Sequence, residues 1–285
     1  MNAVFVLHSY SLLATIDANR KHATSQKDAM TYPVEIPAAD RHKLLALFLD
    51  CPYDRVLIDN VLEGHFGRAY ADSLANPNAA RLDSGAFTMF GGNPAATDVK
   101  DLLRLAPISY VTPQTVGWRS VLEDEFGARM LVLPFTNFSP MALDQAHLAG
   151  LIKTLPSAFE LKCIDRTLAE QLSVDMENEY FFENFHSIDD FLKRGIGYCI
   201  LHQNKIVSAA TSMAQSQRAI DIEIETVADY RKQRLGTVVG AKLVAHCLEQ
   251  GIEPCWLAAN EASERLAIRL GYVSGDRYET LAIQE

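Results

Sequence analysis

The sequence predicts an α/β protein with a mixed, mostly antiparallel sheet flanked by helices, and three observations carry that prediction. Ile220, Ile222 and Ile224 alternate with Asp221, Glu223 and Glu225, which is the period of a strand half buried in a sheet. A hairpin pattern precedes them, residues 196–202 and 206–213 flanking the turn Gln203-Asn204-Lys205. A helical pattern follows over residues 235–250 and stops at Gly251, a residue suited to the left-handed position just past a helix end.

Size and composition bound what such a fold can do. The 285 residues suffice for two ordinary domains or one large one, and 48 % apolar with 22 % charged residues is a globular balance. A net charge of −10 argues against general binding to nucleic acid or an anionic membrane. The five cysteines are scattered and odd in number and form no CxxC, as expected of reduced thiols in a cytoplasm. The histidines show no HExxH or paired helical spacing, so no metal site is expected. No apolar run approaches the roughly 20 residues that span a bilayer. Residues 3–16 lack the basic start and cleavage site of a signal peptide. Residues 1–30 read as a loose extension, with Met30 as an equally good start.

In the first half a helix is expected over 39–49, a strand at 55–58, and a tight turn where Gly64 and Gly67 stand. Asn76-Pro77-Asn78 is a turn, strands follow at 80–82 and 86–90, and Gly91-Gly92-Asn93-Pro94 is a loop. A helix at 97–105, a strand at 109–112, a helix at 115–126, a strand at 129–133 and a helix at 141–153 complete it. The domain boundary is expected within 136–157, giving a companion domain over 31–145 and a second domain over 146–285. There, residues 159–163 alternate as a strand, Asp165 caps a helix at 166–172, and Ser187 with Asp190 starts another helix. After the hairpin, strand and long helix come a strand at 254–259, a helix at 262–270 stopped by Gly271, and strands at 272–273 and 278–283.

Chemistry concentrates where the strand meets the long helix. The first amides of a helix have no internal partner and carry partial positive charge, so a helix start is an anion site. Arg231, Lys232 and Arg234 surround this one, and Gly236 admits a ligand close to the backbone. The stretch asks for a phosphate-bearing ligand. Nothing in the first half forms a comparable constellation.

The element order resembles that of the GNAT superfamily of acyl-CoA-dependent N-acyltransferases. Arg231-Lys232-Gln233-Arg234-Leu235-Gly236 is similar to its pyrophosphate signature, [Arg/Gln]-x-x-Gly-x-[Gly/Ala], with Arg234 in place of the middle glycine. Asn260 through Leu270-Gly271-Tyr272 resembles its second signature. Leu62-Glu63-Gly64, Ala71-Asp72, Asn76-Pro77 and Gly91-Gly92 resemble a subfamily that includes the zwittermicin A resistance acetyltransferase. The resemblance implies a GNAT fold beside an N-terminal α/β companion, and acetyl-CoA as co-substrate. It implies transfer to a primary amine of a small molecule by direct attack; the alternative is a non-catalytic acyl-CoA-binding module. The pyrophosphate is expected on Arg231, Lys232, Gln233, Arg234, Leu235, Gly236 and Thr237, and the pantetheine on Thr226 and Val227, with a backbone N–H near Val227 holding the thioester carbonyl. Asn260 and Ser263 are expected cofactor contacts, although Asn is also a preferred helix cap. Glu225 is the favoured general base and Glu223 the second. Tyr272 or Tyr278 stands in for the superfamily's thiolate-protonating tyrosine, whose place holds Ala267; core packing and protonation by water are the alternatives.

Overall fold

The computed structural model describes residues 33–284 except Asp98 and Glu177. The extension read over 1–30, with its alternative start at Met30, lies outside the described residues. The strands are β1 (Val34–Glu35), β2 (Arg68–Ala71), β3 (Ala79–Ser84), β4 (Phe87–Gly92), β5 (Tyr110–Val111) and β6 (Met130–Ser139) in the first half. In the second half they are β7 (Glu160–Cys163), β8 (Gly197–His202), β9 (Lys205–Gln215), β10 (Ala219–Thr226), β11 (Glu253–Ala258) and β12 (Val273–Ile283). The helices are α1 (Arg55–Leu62), α2 (Val99–Arg104), α3 (Val116–Phe126), α4 (Gln145–Ile152), α5 (Arg166–Asp175), α6 (Ile188–Arg194), α7 (Leu235–Gln250) and α8 (Glu261–Leu270).

All twelve strands join one sheet in the order β1-β2-β3-β4-β5-β12-β6-β11-β10-β9-β8-β7. Among the described residues only β4–β5 and β10–β11 pair in parallel. The isoleucines of β10 turn to α7, packing with Leu235, Val238 and Val239. On the opposite face Phe181, Phe185 and Phe191 pack with Cys199 and Ala209, while α1 lies between β2–β4 and the Ala214 end of β9. The short helix Glu179–Phe182 and the residues after it also bridge the sheet. The Thr211 hydroxyl donates to the Phe181 carbonyl at 2.9 Å, and that of Ser84 to Asn184 at 2.6 Å. No helix among the described residues is long and apolar enough to cross a membrane.

Several elements differ from expectation. Residues 55–58 belong to the helix α1, not a strand. Arg55 holds Asp59 one turn on with two hydrogen bonds, of 3.1 and 2.6 Å, and Val56, Leu57, Ile58, Val61 and Leu62 are all buried. Its less buried positions, Arg55 and Asp59, stand one turn apart, but the short apolar run Val56, Leu57, Ile58 taken alone reads equally as a strand. The helix at 39–49 is a 3₁₀ helix, Ala38–Phe48. The strand expected at 129–133 is the ten-residue β6, which runs through Pro134. Proline is tolerated because Pro134 faces Glu279 of β12, while β11 pairs only with Thr136 to Phe138. The last two strand segments are one strand, β12, irregular between Ser274 and Arg277.

Residues Tyr32–Glu285 form one compact unit, and no break between sheets falls at the boundary expected within 136–157. β6, from the first half, lies between β11 and β12 of the second.

Candidate functional site

β10 and β11 begin as neighbours and separate. They pair only at Ala219–Glu253, Ile220–Pro254 and Asp221–Cys255; thereafter β11 continues against β6 and β10 against β9. A wedge therefore opens along the edge of β10 from Ile222 to Thr226. The chain crosses the mouth of this wedge in a short 3₁₀ turn (Ala228–Tyr230) and enters α7 through two left-handed residues, Lys232 (φ 63°) and Arg234 (φ 64°). Arg234 is the residue before the helix, and its side chain makes no capping bond.

That path leaves a row of main-chain donors free. Tyr230 and Arg231 bond back into the turn and Val238 bonds to Arg234, but the amides of residues 232–237 meet no acceptor among the described residues. Residues 231–234 are exposed. An amide cluster at a helix start, flanked by Arg231, Lys232 and Arg234, is chemically a seat for a diphosphate. Gly236 keeps this corner open: a Cβ would lie 3.3 Å from the Thr226 hydroxyl, a tight contact that Thr226 would have to yield to. The arginine in the middle glycine's place keeps the left-handed backbone a glycine would take more easily.

Other expected contacts are distributed differently. The Val227 amide donates to the Val207 carbonyl at 3.0 Å, so it is not free to hold a thioester carbonyl. In an antiparallel ladder the bonding direction alternates, so the amides turned to the wedge are those of Ile224 and Thr226. The Thr226 carbonyl accepts from Arg231 Nε at 3.0 Å. Thr237 is buried and its hydroxyl accepts from Arg269 at 3.4 Å. Gln233 Nε2 donates to the Asp229 carbonyl at 3.4 Å. Asn260 caps α8, its Oδ1 accepting from the amides of Ala262 and Ser263 at 3.0 Å each. Ser263 Oγ accepts from Trp256 Nε1 at 3.1 Å.

The other face of β10 is acidic. Asp221, Glu223 and Glu225 share it by the strand's alternation. Asn178 donates to Glu223 at 3.0 Å and to Glu225 at 2.8 Å, while its own Oδ1 accepts from the Tyr180 amide at 2.9 Å. Burial pushes the Glu223 carboxyl up to about 7; the Asn178 bond works against that, and Glu225 and Glu183 add to it. Glu223 is thus poised near neutrality, the range useful to a general base.

Tyr272 does not reach this site. It is 4 % exposed in the core beside Trp256, its hydroxyl donates to the Pro254 carbonyl at 2.9 Å, and burial raises its pKa well above the usual phenol value. Tyr278 is also buried, stacked on Tyr53 at 4.0 Å. Sequence reading missed Asn178, in an irregular segment without periodicity. It also missed Asp54 and Asp221, buried polar residues of which only the second had a place in a recognised pattern.

The family model for GNAT acetyltransferases matches residues 46–281. The uncharacterized N-acetyltransferase YdfB of Bacillus subtilis (strain 168) is 32 % identical over 126 residues, 44 % of this chain; the match spans about half of YdfB, 48 %. The GCN5-related N-acetyltransferase-like protein of Streptococcus suis 89/1591 is 30 % identical with a TM-score of 0.77, over 87 % of this chain and 100 % of that one. A GNAT-family acetyltransferase of Colwellia psychrerythraea, 12 % identical, shares the fold alone, with a TM-score of 0.56 over 89 % of this chain and 99 % of its own.

Proposed function

The chain belongs to the GNAT acetyltransferase family, and from that premise we propose that it transfers an acetyl group from acetyl-CoA to a primary amine of a small molecule by direct attack. The observation that carries this reading is the run of free amides at 232–237, set where β10 leaves β11. Those amides, with Arg231, Lys232 and Arg234, hold the diphosphate. The pantetheine lies along the freed edge of β10, and the amides of Ile224 and Thr226 face its carbonyls. Acetyl-CoA brings a thioester carbonyl to the wedge; the amine nitrogen bonds to that carbon as the carbon–sulfur bond breaks. Glu223 takes the amine proton, with Glu225 beside it on the same donor, Asn178. Water protonates the departing thiolate, since Tyr272 is committed to Pro254. Asn260 and Ser263 fix α8 at the border of the wedge.

The segments resembling the zwittermicin A resistance acetyltransferase favour a small-molecule acceptor over a protein. Five free thiols fit a reducing cytoplasm.

Calorimetric titration of the full chain with acetyl-CoA tests the reading. A dissociation constant on the order of micromolar is expected, and no detectable binding sinks the proposal. Thiol release across an amine panel then separates an enzyme from a module that binds acyl-CoA without turnover.

A further inference from the structure

Two carboxyls that the transfer step leaves unused carry a further inference, which rests on the amine-acceptor reading. Asp54, just before α1, and Asp221, on β10, are 6 % and 5 % exposed and come from opposite halves of the chain. Helix α1 brings them together, because its buried cluster packs against Ala219 and Cys255, the residues that flank Asp221 along the strand and across the ladder. Tyr278 is buried nearby, stacked on Tyr53 at 4.0 Å, and burial together with the charges of Asp54 and Asp221 raises the pKa of its hydroxyl. Gln114 Nε2 reaches Asp54 at 3.5 Å and the Thr112 hydroxyl also serves it. No described donor serves Asp221, whose Oδ2 is sealed from solvent and unpartnered. Burial first, and Asp54 second, push the Asp221 carboxyl up to about 8.

An orphaned buried carboxyl, beside the last β10–β11 pair and with a second buried acid on the element packed against it, calls for a cation. The ion pair on this strand, Arg231 with Glu225 at 3.9 Å, leaves both aspartates untouched. An ammonium suits the place better than a metal ion, since no group of three or more His, Cys, Asp or Glu is arranged for a metal among the described residues. Asp221 lies one two-residue step from Glu223 on the same face, about 7 Å, which a chain of roughly four or five methylenes spans.

We propose that Asp54 and Asp221 form a subsite for a second, non-reacting ammonium, so that the acceptor is an α,ω-diamine held at one end here and presented at the other to Glu223. Titration of the full chain with 1,4-diaminobutane and with butylamine tests this directly. The diamine should bind at least about tenfold more tightly, and the difference should fall to about twofold or less in Asp221→Asn and in Asp54→Asn. Each variant's thermal transition is recorded; if one fails to fold, the other, on a different element, carries the test. Equal binding of the two amines by the unaltered chain, or a preference that survives substitution, overturns the subsite. A diamine preference without acetylation of any amine supports the subsite and sinks the transfer reading. Acetylation of mono- and diamines alike does the reverse.

Discussion

Glu223 and Glu225 share one face of the strand and one donor, Asn178. Glu223 is driven to about 7, chiefly by burial, so it is half ionised near neutrality. A base must be ionised to accept a proton, so kcat/KM should rise with pH through about 7. Glu223→Gln should abolish that limb and lower kcat by about 10²- to 10⁴-fold. An unchanged pH profile in this variant would move the role elsewhere. Arg234 makes the opposite point, a residue whose cost is in its backbone. Its left-handed φ of 64° is about 1–2 kcal/mol harder for a side chain with a Cβ than for glycine. Arg234→Gly should therefore melt no lower than the unaltered chain, yet bind acetyl-CoA severalfold more weakly, and less so in high salt, as a phosphate-pairing guanidinium requires. Indistinguishable titrations at both ionic strengths would remove Arg234 from the site. The cradle was legible at this scale because its signal is local: cations, a glycine and a helix start in one stretch. The occupied Val227 amide was not, since it depends on the register of β10 against β9.

At the scale of the element, β10 carries apolar residues toward α7 and acids on the opposite face. The alternation announced both faces. It could not tell a solvated acidic face from a buried one, because burial there depends on α1 and on the segment around Asn178, far away in sequence. The same concealment hid α1, whose buried run Val56, Leu57, Ile58 reads as a strand. Burial of the acids has a consequence for stability. Asp221 and Glu223 have pKa values raised to about 8 and about 7 in the folded chain. The folded state therefore holds protons that the unfolded state releases. Their contribution to stability is full below the ordinary carboxyl range and is lost as pH rises through about 7 to 8. The melting temperature should fall between pH 5 and 9, and Asp221→Asn should flatten that fall, melting at least ~3 °C above the unaltered chain at pH 9. Parallel curves for the two proteins would show that Asp221 ionises as freely as an exposed carboxyl.

At the scale of the whole molecule, β6 decides how the chain can be divided. Each half read alone gives a plausible α/β order, and nothing in periodicity says that a strand of the first half crosses into the second. Yet β6 pairs with β12 along nearly its whole length and with β11 through Thr136–Ala258, Asn137–Leu257 and Phe138–Trp256. Phe138 is buried in the cluster that holds Trp256, Ala267, Leu270 and Tyr272 under α7 and α8. A fragment over residues 144–285 would expose the facing edges of β11 and β12, unpaired, and uncover that cluster; open edges and bare apolar faces drive association. The fragment should thus show no cooperative thermal transition and should aggregate, whereas residues 33–285 should melt cooperatively. Supplying residues 33–143 in the same cells should restore a soluble complex, because β6 can then insert. A cooperative, soluble 144–285 that binds acetyl-CoA would mean that β6 is dispensable, and that the wedge between β10 and β11 is held open by the second half alone.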